Sequence, residues 1–236
     1  MNKKNQTQVI NSILLGAGRP YKGLRHSGLE ATSEDVIILD WIISVLSGYT
    51  DSIDFIGGYE IELIKEKYPG LNFYENSNWA STKSAGSLLM HHFSGADQYI
   101  ISYCDIVFRS NLISALMDDI SDVSVAVDSS WKSRFAGREE KDILNSEKIV
   151  ETGGTVTKLG KDISLLDATA EFLGLVRFSP SVIHFIRSLT QEVIQQFSSL
   201  SMVDFIEFLR MKGFKVTSVD AKGDWAELND PRDISQ

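Results

Sequence analysis

The stretch Val9-Ile10-Asn11-Ser12-Ile13-Leu14-Leu15-Gly16-Ala17-Gly18-Arg19-Pro20 decides how the chain folds. It is an apolar, β-prone run that ends in Gly-Ala-Gly-Arg, the form of a buried strand bounded by glycine. Glycines directly after such a strand let the backbone pass close to an anion and leave N–H groups free to bind phosphate. The opening therefore predicts a nucleotide held at the carboxyl end of a first strand. Two familiar glycine loops do not fit it. A dinucleotide loop wants G-x-G-x-x-G running into a helix, but Pro20 follows Arg19 and the next glycine is Gly23. A P-loop wants G-x-x-x-x-G-K-[ST], and Leu24-Arg25 stands where Lys-Ser/Thr is required.

The chain around this stretch is that of one globular α/β domain. Its 236 residues are 43% hydrophobic and 23% charged, with length enough for one large core. A formal charge of −9 argues against nonspecific nucleic-acid binding, which runs on basic patches. Cys104, the single cysteine, excludes an internal disulfide and a cysteine-based zinc site. The histidines lack zinc-hydrolase spacing, and His91-His92 reads as structural or surface. Residues 1–8 have no apolar signal core, and the apolar stretch 36–46 is too short to span a bilayer. A cytoplasmic protein without membrane or nucleic-acid partners is the expectation; monomer or homodimer is left open.

Strands and helices alternate, which predicts a largely parallel sheet. The expected strands are 9–15, 51–56, 71–74, 98–103, 123–127, 170–178, 215–219 and 225–228. Helices are expected at 34–47 (capped by Thr32 or Ser33), 59–67, 82–93, 112–117, 180–197 and 202–212. Residues 129–165 read as an insertion, a polar loop or lid followed by a hairpin with a Gly153-Gly154 turn.

Leu14-Leu15-Gly16-Ala17-Gly18-Arg19 resembles the L-A-A-G-x-G-x-R start of sugar-phosphate and phosphocholine nucleotidyltransferases. Four further segments are similar to that family in order and spacing. They are Phe55-Ile56-Gly57-Gly58-Tyr59, the block from Asn76 through Trp79 and Thr82-Lys83 to Ser87-Leu88, Ser102-Tyr103-Cys104-Asp105, and Trp225-Ala226-Glu227-Leu228-Asn229-Asp230-Pro231. The segments from Val127 to Arg138 and Glu171-Phe172-Leu173-Gly174 resemble the phosphonate cytidylyltransferase branch. The resemblance implies a Rossmann-like, mostly parallel mixed sheet flanked by helices, the nucleotidyltransferase (GT-A-like) fold. It also implies CTP, Mg²⁺ and transfer of CMP to a small phosphonate of the 2-hydroxyethyl or 2-aminoethyl type, with release of pyrophosphate. Phosphocholine or another small phosphate ester, a sugar 1-phosphate, and a catalytically inactive nucleotide-binding domain are the alternatives.

The resemblance assigns Leu15, Gly16, Ala17, Gly18, Arg19, Gly58, Asn76, Thr82 and Ser87 to the nucleotide. Trp79, Lys83, Trp131, Lys132, Arg134, Arg138 and Glu171 fall to the acceptor. Asp105 and Asn229 are the expected magnesium ligands, with Glu227 and Asp230 competing for the second place. Such oxygen donors suit magnesium. The family's Pro-Lys-x-Leu segment is replaced by His26-Ser27-Gly28-Leu29, so its phosphate-binding lysine is missing. Lys22, grouped with Arg19 and Asp105 as catalytic, or Arg25 is the expected replacement. Lys83 also stands where the branch often has asparagine. Blander readings stand beside these: Asp105 as a turn cap, Asn76 and Trp79 as packing, and the cations of 132–138 as a solvated loop.

Overall fold

The computed structural model describes residues 8–20, 25–31, 35–135 and 140–227, with the side chains of Arg134 and Glu140 outside that description. Its strands are β1 (Ile10–Gly16), β2 (Ser52–Gly57), β3 (Asn72–Glu75), β4 (Gln98–Tyr103), β5 (Ile106–Phe108), β6 (Val123–Asp128), β7 (Lys148–Thr152), β8 (Thr155–Gly160), β9 (Ala170–Phe178), β10 (Val216–Asp220) and β11 (Trp225–Glu227). The helices are α1 (Ile38–Leu46), α2 (Ile61–Lys67), α3 (Ser84–Leu88), α4 (Ser110–Asp118), α5 (Trp131–Arg134), α6 (Glu140–Asn145), α7 (Pro180–Arg187), α8 (Gln191–Gln196) and α9 (Met202–Met211).

A nine-stranded sheet runs in the order β3-β2-β1-β4-β9-β6-β10-β8-β7. The block β3-β2-β1-β4 is parallel, as the alternating pattern predicts. Beyond it β9 runs antiparallel to both β4 and β6, so the whole sheet is mixed. The 148–160 hairpin extends this sheet through β8 and β7. Strand β5 pairs with β11 in a separate two-stranded ribbon just past the end of β4.

Alternation along β1 builds two cores, because successive side chains leave opposite faces of a strand. Ile13 and Leu15 join Val125, Val176, Phe205 and Ile206 on the face covered by α3, α7 and α9. Leu14 joins Phe55, Ile100, Ile42 and Ile113 on the face covered by α1 and α4. Leu14 is fully buried, so truncating it to alanine costs about 2–5 kcal/mol.

Helix ends differ from the sequence expectation where local turns win. The first helix begins at Ile38 after an uncapped Ile37, and Thr32 and Ser33 lie outside the described residues. The helix expected over 82–93 stops at Leu88, and Phe93 adopts a left-handed φ of 49°. The long helix expected over 180–197 is two helices, the second capped by the Thr190 side chain. No helix among the described residues is long and apolar enough to cross a membrane.

Candidate functional site

Strand order reverses between β1 and β4, and open α/β sheets bind ligands outside the carboxyl ends of strands at such a point. A cleft of about 440 Å³ opens there, lined by the 15–20 loop, the strand-end residues Tyr103 to Asp105, and residues of β9.

One wall is built on the glycine loop. The Ala17 carbonyl accepts a bond from the Tyr59 N–H at 3.0 Å, tying the loop to the turn after β2. A Cβ on Gly58 would lie 2.5 Å from the Trp79 Cβ, so only glycine lets Trp79 seat against that turn and face the cleft. Asn76 is buried behind this wall. Its amide donates to Thr82 Oγ1 at 2.7 Å and Ser87 Oγ at 3.0 Å, and its oxygen accepts from the Asn78 N–H. Thr82 and Ser87 line the cleft, and Asn76 aims them. The Arg19 guanidinium lies 5.6 Å from the centre of the Tyr59 ring.

His26 braces the same loop. Its ring is fully buried, with Nε2 donating to the Gly16 carbonyl at 2.7 Å and Nδ1 accepting from the Gly28 N–H at 3.1 Å. This pair of bonds requires the neutral ring. Burial lowers the His26 pKa, opposed by the Gly16 carbonyl and Glu60. Ser27 lines the cleft in the place of the expected lysine.

Asp105 follows β4 at the floor of the cleft. Its Oδ1 is buried and has no hydrogen-bond partner among the described residues, and burial raises its pKa. A buried carboxylate oxygen left without a donor is costly unless a cation meets it. Glu227, opposite Ile106 in the β5–β11 pair, also lines the cleft and adds a second hard oxygen donor. These two residues fit a magnesium ion, whose ligands are carboxylates, phosphates and water. Among the described residues no group of three or more His, Cys, Asp or Glu residues gathers for a metal. Burial pushes the Cys104 thiol up to about 12, so it behaves as a small apolar group.

The far wall comes from scattered elements. The Tyr103 hydroxyl donates to Glu147 Oε2 at 3.0 Å and contacts Ser84 Oγ at 3.1 Å. Gly174 has φ +81°, and a Cβ there would overlap the Tyr103 ring. Burial raises the pKa values of Tyr103 and Glu147. Lys161 Nζ stands 3.7 Å from Glu147 Oε1. Lys148, buried below, donates to the carbonyls of Leu144, Ser146 and Lys161, clipping the end of α6 to the end of the hairpin.

The cleft thus gathers Leu15, Gly16, Ala17, Gly18, Arg19, Trp79, Thr82, Lys83, Ser87, Asp105 and Glu171 from the expected set. Two expectations are corrected. Trp131 is 1% exposed and packs with Phe135, Ile163 and Ala168 away from the cleft, so it is a core residue. Lys132 is exposed with its ammonium 5.6 Å from the Trp131 ring centre, and it does not line the cleft. Arg25 is exposed and also absent from the lining. Lys22, Arg138, Asn229 and the Arg134 side chain lie outside the described residues. Residues not anticipated are Ser27, Tyr103, Asn145, Glu147, Lys161 and Ser201. A signal existed for two of them. Lys148 pairs with Gly160, and one further rung of the hairpin places Glu147 opposite Lys161.

No protein-family model matches the chain. It is similar to a CTP:phosphoglutamine cytidylyltransferase of Campylobacter jejuni, 26% identical over 215 residues, covering 84% of this chain and 85% of that protein. Its fold is similar to that of the inositol-1-phosphate CTP transferase of T. maritima (TM-score 0.73, 16% identity, 97% of this chain and 92% of the other). It is also similar to that of the CTP:phosphocholine cytidylyltransferase of Streptococcus pneumoniae (TM-score 0.65, 15% identity, 96% of each chain). The fold is the nucleotidyltransferase fold.

Proposed function

We propose that this chain is a Mg²⁺-dependent cytidylyltransferase that transfers CMP from CTP to a small phosphonate and releases pyrophosphate. The observation that carries the reading is the buried, unpartnered Oδ1 of Asp105 in the cleft entered by the glycine loop. A phosphonate or phosphate oxygen is already anionic near neutral pH, since such second ionisations fall near about pH 6. No general base is needed. The acceptor oxygen forms a bond to the α-phosphorus of CTP as the α–β bridging bond breaks, and the electron pair leaves with pyrophosphate. Positioning and electrostatics are therefore the enzyme's main work.

In this reading the backbone of residues 15–19, Thr82 and Ser87 hold the nucleotide, and Trp79 closes that wall. Asp105 and Glu227 would hold the magnesium ion, with Asn229 as a further candidate ligand. When bound, the ion neutralises phosphate charge and orients the reacting oxygens. Tyr103, Glu147, Lys161 and Glu171 offer the acceptor both donors and acceptors. The phosphonate assignment is supported by the resemblance of the segments around Val127 and Glu171. The Campylobacter relative, named for phosphoglutamine, favours a second reading in which the acceptor is a small phosphate-bearing metabolite.

Pyrophosphate release across CTP, ATP, GTP and UTP, each with aminoethylphosphonate, hydroxyethylphosphonate, phosphocholine, phosphoglutamine and a sugar 1-phosphate, tests the reading. Release with CTP and a phosphonate is expected. Release only with phosphate esters replaces the first acceptor class by the second. Tight CTP binding with no release across the panel identifies an inactive nucleotide-binding domain and overturns the transferase reading.

A further inference from the structure

Among the described residues the cleft is lined by three cations, Arg19, Lys83 and Lys161, and four carboxylates, Asp105, Glu147, Glu171 and Glu227. Two of the cations are engaged, Arg19 with the Tyr59 ring and Lys161 with Glu147. The exposed Lys83 ammonium has neither a carboxylate nor a ring as partner among the described residues. Its backbone, in contrast, is fixed. The Lys83 N–H donates to the Ser198 carbonyl at 2.9 Å, while Thr82 before it is held by Asn76. Ser84 after it accepts from the Met202 N–H at 2.8 Å and contacts Tyr103. Lys83 therefore stands where the glycine-loop wall joins the far wall, a free ammonium on a pinned strand of backbone.

We propose that Lys83 neutralises the polyphosphate of the nucleotide, supplying a charge that Ser27 cannot. The proposal rests on the reading that the cleft takes a nucleoside triphosphate. An acid-rich cleft repels a polyanion unless fixed positive charge faces it, and here that charge arrives from the turn before α3. Ser27, on the loop side, supplies only a hydroxyl. The Lys83 side chain is exposed and forms no ion pair among the described residues, so its removal tests the role with little demand on the fold.

Calorimetric binding of inorganic tripolyphosphate and of CTP, each with Mg²⁺, separates this role from turnover. Lys83→Ala should weaken both by about 10- to 100-fold, the range of a lost charge-assisted bond. Lys83→Arg should stay within about tenfold of the parent, since the charge is kept. Binding should also become less sensitive to salt in Lys83→Ala, because one screened charge pair is gone. Lys132→Ala removes an exposed lysine outside the cleft and should leave both affinities unchanged. Affinities within threefold of the parent in Lys83→Ala, an equal loss in Lys132→Ala, or an effect confined to the acceptor KM would each overturn the proposal. If the parent releases no pyrophosphate with any nucleotide while Lys83→Ala still loses tripolyphosphate, the transferase reading fails and the Lys83 assignment stands.

Discussion

The glycine-loop wall draws its residues from short contiguous stretches, 15–20, Gly58 and 76–87, whereas the far wall gathers Tyr103, Glu147, Lys161 and Glu171 from separate elements of the sheet. Strand-end loops place neighbouring residues together because the chain itself spans the site. A wall built across β4, α6, β7, β8 and β9 exists only once long-range pairing is complete. The first wall is specified locally and the second by topology. Substitutions should therefore act on the first through individual contacts and on the second through the fold that assembles it.

Asp105 lies between the walls and carries the largest expected effect. Asp105→Asn should reduce pyrophosphate release by about 10²- to 10³-fold, the range seen when one preorganised electrostatic group is lost. The same change removes a buried charge whose Oδ1 lacks a donor among the described residues, so the ligand-free protein should melt higher. Each kcal/mol of that gain is worth about 2–4 °C at this chain length. Calorimetry beside a turnover assay checks both signs. An active Asp105→Asn protein, or one that melts lower, would show that Asp105 belongs to structure and not to chemistry.

Two glycines compare the walls directly. Gly174→Ala meets a left-handed φ and the Tyr103 ring together, and should cost about 1–3 kcal/mol. Because Tyr103 must then leave Glu147, acceptor KM should rise more than nucleotide KM. Gly58→Ala meets Trp79 first, at ordinary φ, and should cost less while raising the nucleotide KM. Equal effects on both substrates from both variants would erase the distinction between the walls.

The same contrast explains what could be read from sequence. Leu15 to Arg19, Trp79, Thr82 and Asp105 sit at ends of strands or in their turns, and linear spacing carries that information. Trp131 departs from expectation because an aromatic beside basic residues has the same pattern in a pocket or in a satellite core, and only the contacts with Ile163 and Ala168 decide. Lys161 is legible only through the pairing of the hairpin. It is an ordinary surface lysine until the hairpin register sets it against Glu147. The helix expected over 180–197 was broken by Thr190, whose side chain caps a new start within a stretch of unbroken helical pattern.

The smallest expected effect is a difference in how the two walls respond to pH. His26 is held neutral by burial, with its pKa lowered, while in the unfolded chain it protonates near the ordinary 6.5. Below that pH the unfolded state takes up protons that the folded state refuses, so His26 lowers stability as pH falls. Glu147 behaves in the opposite sense. Burial raises its pKa, so as pH rises above the ordinary carboxylate value the unfolded state releases a proton that the folded state keeps, and stability falls with rising pH. Melting temperatures of ligand-free protein between pH 4.5 and 7.5 read both contributions without interference from the ionisation of an acceptor. His26→Asn should flatten the acid limb below 6.5, and Glu147→Gln should remove part of the decline above 4.5, each by only a few degrees. If His26→Asn leaves the acid limb unchanged, the buried neutral ring is not what ties the Gly16 carbonyl to the loop. The glycine-loop wall would then owe its order to the Tyr59 and Asn76 contacts alone.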